Sequence, residues 1–373
     1  MMRVLHVFKT SSRVSFGGGE AFIDRLCRHT GRLGAQNTVF ALNPQEPSQT
    51  IRTPDYQLVQ MRQDFSLAST GFSFAGIAEL SRQIGAHDVV HYHTPNPYAE
   101  LLAVAGRSAT PALATHHADA VRYPLLRAPY SLLQRAFYAR MDRIVATSAA
   151  YVETSPTLQR LVDKVSTIPI GISKADLATS PVDERRAWAK RLPSPFALFV
   201  GALRPYKGLP TLLQAVRGTG IPLVIAGTGE LAGMVERSLV RRGYENVTYL
   251  GAVSEEAKAA LLSLCHCFVM PSVNRSEAFG IGLLEASVFG KPLISSRLGT
   301  GTSLVNAHGI TGLEVSPGSA IELRTALLKL LGEPETAAAM GTAAQDRVGS
   351  LFTAEEQARA YMGIYEALLT ARR

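Results

Sequence analysis

Short apolar runs alternate with longer stretches whose apolar positions recur three and four residues apart, almost throughout the chain. RVLHVF (3–8) reads as a strand, and FGGGEAFIDRLCRHTGRLG reads as a glycine-rich turn followed by a helix ending at Gly34. NTVFAL continues as a strand and leads into a polar stretch without a periodic signal. Then come AGIAELSRQIG as helix, DVVHYH as strand, ELLAVAGRS as helix, PALATHH as strand, APYSLLQRAFYARM as helix and RIVATS as strand. Such alternation predicts a parallel sheet with helices on both faces.

The pattern pauses at IPIGISKADLATSPVDERRAWAKRLPSP, rich in Pro, Gly and Ser, and restarts at FALFVGAL (196–203). KGLPTLLQAV, PLVIAGTG, a helix around LAGMVERSLVRRG, NVTYLG, EEAKAALLSLC, CFVMPS, a helix opening near Phe279 and KPLISS follow. The expected fold class is α/β, with two Rossmann-like doubly wound domains facing a cleft and joined near residues 170–195. The expected limits are 1–175 for the first domain and 176–355 for the second. Residues 356–373 read as one amphipathic helix packing back toward the N-terminal domain, with Ala358, Tyr361, Met362, Ile364, Tyr365 and Leu368 at helical spacing. Doubly wound sheets bind ligands outside the carboxyl ends of their strands. The polar and glycine residues at those ends are therefore the candidates for function.

A length of 373 residues suits two cores better than one, and 46% hydrophobic with 18% charged residues marks a globular chain. No apolar run approaches the ~18 residues of a membrane-spanning helix. The start, MMRVLHVFKT, lacks the apolar centre of a signal peptide, so a cytoplasmic protein is expected. The net charge of +8 favours anionic partners, but no basic run with interleaved aromatics points to nucleic acid. Cys265 and Cys267 flank His266, yet the run is apolar on both sides and lacks a second ligand pair at zinc spacing. It reads as a buried strand. His91 and His93 share a strand face with no carboxylate set beside them, and no metal site is expected there.

Chemistry concentrates at two places. Arg204 and Lys207 sit in the turn after FALFVGAL, just before a helix; a guanidinium fork, a point charge and helix N–H groups together suit a phosphate. Glu277 and Glu285 bracket AFGIGLL, where Ala278, Phe279 and Gly280 can point N–H groups at an anion and the carboxylates can accept from sugar or ribose hydroxyls. Two other readings compete: solvent-facing glutamates, or a glycosidase acid–base pair. A phosphate clamp is superfluous for hydrolysing a plain glycoside, which favours a nucleotide-sugar.

FVGALRPYKGL, IAGTGE, FVMPSVNRSEAFGIGLLEASVFGKPLISS and GTGTSLVN together resemble family 4 of the retaining glycosyltransferases, and the last two blocks resemble mannosyltransferases of O-antigen and related lipopolysaccharide synthesis. The resemblance implies a GT-B fold with the acceptor domain first. It implies that Arg204 and Lys207 hold the donor diphosphate, that Glu285 binds the ribose and Glu277 the donor sugar, and that His117 lines the reaction centre. Metal-independent retention by a front-face path and no cofactor are implied too.

The turn Gly17-Gly18-Gly19 would let backbone approach the donor phosphate at Gly18 and the acceptor at Gly19, while His93 at a strand end lines the cleft. A dinucleotide fingerprint fails there, because the third glycine falls on Phe22 and no acid follows the second strand. The implied function is transfer of a hexose, mannose from GDP-mannose in first place, to a lipid-linked saccharide. A UDP-sugar donor, a nucleotide-sugar epimerase or phosphorylase, and a non-catalytic binding module are the rivals.

Segment 122–141 carries Arg122, Arg127, Arg135 and Arg140 with Leu126, Tyr130, Leu133, Phe137 and Met141 at helical spacing. It reads either as a helix laid on an anionic membrane surface, placing the protein on the inner face of the cell membrane, or as a core-facing helix with solvated arginines.

Overall fold

The structure is a computed structural model that describes residues 1–15, 17–119 and 127–371. The chain divides into two compact units, Met1–Gly171 with Ala354–Arg373, and Ile172–Thr353.

The first unit runs β1 (Met2–Val7), α1 (Gly18–Arg32), β2 (Ala35–Asn43), β3 (Gln49–Arg52), β4 (Gln57–Arg62), β5 (Phe65–Leu67), β6 (Thr70–Phe72), α2 (Phe74–Ala86), β7 (Val89–Thr94), α3 (Pro97–Ala105), β8 (Ala112–His116), α4 (Arg127–Ala139), β9 (Arg143–Ala146), α5 (Ala149–Thr154) and β10 (Val165–Thr167). Its sheet has the order β10-β9-β8-β7-β1-β2-β4-β3, parallel except for the edge strand β3. The chain winds one way from β1 through β2 and the other way through β7, so the switch point lies between β1 and β7. The polar stretch after β2 is not featureless: it holds β3, β4 and the β5–β6 hairpin. Polar residues such as Gln57 and Gln60 interrupt the apolar signal there, and pairing with β2 supplies the strand.

The second unit runs α6 (Val182–Arg191), β11 (Ala197–Val200), α7 (Leu209–Val216), β12 (Leu223–Ala226), α8 (Ala232–Leu239), β13 (Val247–Tyr249), α9 (Glu255–Leu264), β14 (Cys267–Met270), α10 (Ile281–Val288), β15 (Leu293–Ser296), α11 (Thr302–Val305), β16 (Gly312–Val315), α12 (Ala320–Gly332) and α13 (Pro334–Leu351). Its sheet is fully parallel, β13-β12-β11-β14-β15-β16, with the switch between β11 and β14. Phe199, Leu212, Leu223, Val269 and Leu327 belong to one buried cluster on this sheet. The segment that reads as a linker contains α6, which buries none of its residues. Asp183 and Glu184 at its first turn and Lys190 and Arg191 at its last suit the helix dipole, and a helix that buries no residue fully carries no clear apolar stripe to read.

α14 (Ala354–Thr370) returns the chain to the first unit, where it packs along α1 and reaches β7. Its buried Tyr361 and Tyr365 donate or accept at Thr115 and His91, at 2.9 and 2.8 Å. Cys265 and Cys267 are buried, with burial pushing the Cys265 thiol up to about 12, and His266 bonds the carbonyl of Leu330.

α4 packs on α3. Phe137 and Met141 are buried and the Tyr130 hydroxyl donates to Glu100, which fits the core-facing reading for that part of the segment, while Leu132 and Arg135 are exposed. Arg122, Leu126 and the Arg127 side chain lie outside the described residues. Among the described residues no helix is long and apolar enough to cross a membrane.

Candidate active site

In the second unit the candidate residues gather at the switch between β11 and β14. After β11 the chain makes a short turn over Pro205–Lys207 and then takes a left-handed step at Gly208, φ +74°. A side chain at 208 would strike the carbonyl of Pro271, so only glycine lets this turn lie against the loop after β14. The amide of Val273 donates to the carbonyl of Tyr206 at 2.8 Å and locks the two segments. That contact brings Lys207 onto Glu277: its ammonium donates to Glu277 Oε2, which also accepts from Ser272 Oγ at 3.2 Å. Burial works against the Lys207 charge, but the Glu277 carboxylate more than offsets it and holds the ammonium above its ordinary range. Oε1 of Glu277 accepts no hydrogen bond from the described residues and is left for a ligand.

The loop from 271 to 280 is itself held in place. Thr300 Oγ1 donates to the carbonyl of Glu277 at 2.9 Å, and Gly301 N–H donates to that of Ala278 at 2.7 Å. The helix begins at Ile281 rather than near Phe279, because Gly280 takes a left-handed conformation, φ +88°, and closes the loop first. The N–H groups of Ala278, Phe279 and Gly280 donate to none of the described residues and remain free for an anion. Arg204 is exposed in the turn after β11, and its guanidinium makes no hydrogen bond to the described residues.

Glu285 stands on α10, where its carboxylate accepts from Lys258 of α9 at 3.3 Å, and Lys258 also pairs with Glu255 at 2.6 Å. A carboxylate in an apolar helix does have its cation, but the sequence does not say which lysine supplies it. Lys258 is held above its usual range because Glu285 and Glu255 outweigh the cost of burial.

In the first unit the candidates gather at the ends of β1, β7 and β8. His93 Nδ1 lies 3.0 Å from His117 Nε2, so the two predicted residues meet directly. His93 Nε2 lies 3.1 Å from His6 Nδ1, and His6 Nε2 lies 3.2 Å from Asn37 Oδ1. Neither His6 nor Asn37 is singled out by the sequence, since both sit inside ordinary strand patterns. The neighbouring His116 faces elsewhere, bonding Tyr138 at 2.6 Å and Asp119 at 3.1 Å. Asp119 therefore serves His116, not His117. Gly18 and Gly19 open α1; a side chain at Gly19 would meet the Phe8 ring, which explains glycine at that place. Glu20 is buried and accepts from Ser15 at 2.8 Å and from Thr10.

His6, His91 and His93 bring ring nitrogens within 4.8 Å of one another. Each of the six nitrogens already has a hydrogen-bond partner, His91 through Tyr365 and Thr115. Burial pulls all three rings well below the ordinary histidine range. Neutral, internally bonded imidazoles satisfy this arrangement.

The second unit matches the model of the glycosyl transferases group 1 over residues 182–347, and the first matches that of glycosyltransferase family 4 over residues 16–175. The chain is similar to D-rhamnosyltransferase WbpZ of Pseudomonas aeruginosa, 39% identical with 95% of this chain and 93% of that one covered. It is also similar to O-antigen chain mannosyltransferase C of Escherichia coli, 36% identical over the whole of both chains. In fold it resembles the sucrose-phosphate synthase of Thermosynechococcus elongatus, with a TM-score of 0.81, 21% identity and both chains fully covered. Two Rossmann-like units, each with polar groups at its switch point, and full-length kinship with hexosyltransferases settle the family: the chain belongs to the family 4 glycosyltransferases and is a hexosyltransferase of the GT-B fold.

Proposed function

We propose that the chain transfers mannose from GDP-mannose, with retention, onto a lipid-linked saccharide in the synthesis of an O-antigen-type polysaccharide. The observation that carries this is the 36% identity to an O-antigen chain mannosyltransferase without a gap in coverage at either end. In this reading Arg204, Lys207 and the free N–H groups of Ala278, Phe279 and Gly280 hold the donor diphosphate, and those cations and amides support the leaving group without a metal. Glu277, fixed by Lys207, uses Oε1 for the donor sugar, and Glu285 takes the ribose. In the first unit Gly18 is assigned to the donor phosphate, Gly19 to the acceptor and His117 to the reaction centre; His93, fully buried with both ring nitrogens bonded, does not line a cleft as the sequence suggests. The bond from the anomeric carbon to the diphosphate oxygen breaks with its electron pair leaving on phosphate. The acceptor oxygen bonds to the same face, and its proton passes to a donor phosphate oxygen.

A second reading has support: the 39% identical relative is a D-rhamnosyltransferase, and D-rhamnose is mannose without its 6-hydroxyl. The two readings share every contact except those to that hydroxyl. Competition between the two GDP-sugars for one lipid-linked acceptor separates them: preference for GDP-mannose supports the first, preference for the 6-deoxy sugar the second. Isothermal titration with GDP and UDP tests the base, and tighter binding of UDP would overturn both. At the membrane, a lipid-linked acceptor calls for peripheral contact; Arg135, exposed on α4, is one cation available for it.

A further inference from the structure

We propose that Asn37, His6 and His93 form a polarised hydrogen-bond relay that fixes the tautomer of His117, leaving its Nδ1 lone pair as an acceptor for a substrate hydroxyl. The inference rests on the placement of His117 at the reaction centre; the three upstream residues are positioning residues that act through it.

The polarity starts at Asn37, whose amide can face only one way. Its Nδ2 lies 2.8 Å from the carbonyl of Cys27, which can only accept. The same Nδ2 lies 3.0 Å from Thr30 Oγ1, whose own proton is already given to the carbonyl of Leu26 at 2.7 Å. Asn37 Oδ1 is therefore the atom facing His6, and it accepts, so His6 Nε2 must carry a proton. A neutral His6 then has a bare Nδ1, which accepts from His93 Nε2–H at 3.1 Å. His93 in turn has a bare Nδ1, which accepts from His117 Nε2–H at 3.0 Å. His117 Nδ1 is left with its lone pair and has no partner among the described residues, on a residue that is half-buried.

Neutral rings are what give each bond its direction. Burial lowers His6 to about 4 and His117 to about 3, and His93 well below its usual range; neighbouring His116 and Lys9 push His117 further down. The relay lies wholly inside the first unit, between α1, β1, β2, β7 and β8. Its consequence is chemical. A neutral His117 adds no positive charge beside a developing oxocarbenium ion. With Nδ1 bare it can accept from a sugar hydroxyl, but it cannot donate there. Without the relay the imidazole would be free to present either nitrogen in either state.

The test is a long-range proton–nitrogen correlation spectrum of the full chain labelled with ¹⁵N-histidine, at pH 7. The relay predicts that His117 shows a protonated Nε2 and a bare Nδ1 without exchange averaging; a protonated Nδ1 or an averaged pair overturns it. His6→Gln and His6→Phe separate polarity from packing. Gln can donate to Asn37 and accept from His93, so His117 keeps its tautomer and kcat stays within about threefold of the parent. Phe fills the ring's space but breaks the relay, and kcat falls about tenfold with little change in donor KM. The reverse order, Phe tolerated and Gln not, shows a packing role only and overturns the proposal. Thermal unfolding of both variants accompanies the assay, and the wild-type spectrum decides alone should either fail to fold. His117→Ala tests the underlying placement separately: full transfer by that variant overturns the reaction-centre role, whatever tautomer the spectrum shows.

Discussion

Lys207 and Glu277 are 70 residues apart, yet the switch between two strands brings them into one ion pair. With Lys207 engaged on one carboxylate oxygen, the pair presents an ammonium and a free carboxylate oxygen side by side, which matches a ligand carrying both phosphate and hydroxyls. Replacing Lys207 by Ala should weaken nucleotide-sugar binding by ~1.5–3 kcal/mol, as for a charged hydrogen bond; unchanged affinity by titration calorimetry would remove it from the diphosphate site. The same substitution leaves Glu277 nearly buried without its cation, so thermal stability should fall too. Lys258→Met should act differently, stripping Glu285 of a partner and destabilising the second unit by about 1–3 kcal/mol in denaturant melts. The residue types are legible in the sequence: cations after one strand, carboxylates around one helix start. Their pairing is not, because it depends on the Gly208 backbone meeting Pro271, a contact that no local pattern encodes. His6 and Asn37 are invisible there too, because each sits within an ordinary strand pattern and meets its partner only across the sheet.

At the scale of elements, α3 and α4 share a buried carboxyl with a measurable consequence. Glu100 Oε1 accepts from the amide of Asn96 at 2.8 Å and from Tyr130 Oη at 2.9 Å, while Oε2 is buried without a partner among the described residues. Burial raises the carboxyl to about 7 despite those two bonds. The folded state thus holds a proton that the unfolded chain releases near pH 4.5. Its stabilising contribution is complete below that value and is lost as pH rises to about 7, and the amount at stake is of the order of 3 kcal/mol. Glu100→Gln should flatten stability across that window and melt above the parent at pH 8; an unchanged slope in pH-resolved melts would refute it. α14 gives a second element-scale prediction. Its Tyr361 and Tyr365 close the polar groups of β7 and β8, so deleting residues 354–373 should expose the first unit to limited proteolysis while leaving the second intact. Equal protection of both units would contradict this. The amphipathic stripe of α14 is plain in the sequence. By contrast β4, with Gln57 and Gln60, and α6, which buries no residue fully, carry no clear stripe to find.

Across the whole molecule, the strand–helix alternation is what makes the architecture legible, since a parallel sheet needs a crossover after each strand and the pattern shows them in turn. The switch points then follow, because ligand groups in such sheets collect where the winding reverses. The donor sugar does not follow, since mannose and its 6-deoxy relative ask for the same charges and differ in one hydroxyl. A charge-based diphosphate site predicts full transfer with EDTA present; a loss restored by Mg²⁺ would show that a cation is part of it. Retaining transfer of mannose from GDP-mannose is open to one direct measurement. The full chain is incubated with GDP-mannose and a polyprenyl-diphosphate-linked saccharide, and the product is read by mass spectrometry and by the one-bond carbon–proton coupling at its new anomeric carbon. Retaining transfer predicts a product one hexose heavier with the α configuration of the donor. A β-linked product, or transfer from UDP-sugars alone, would contradict it.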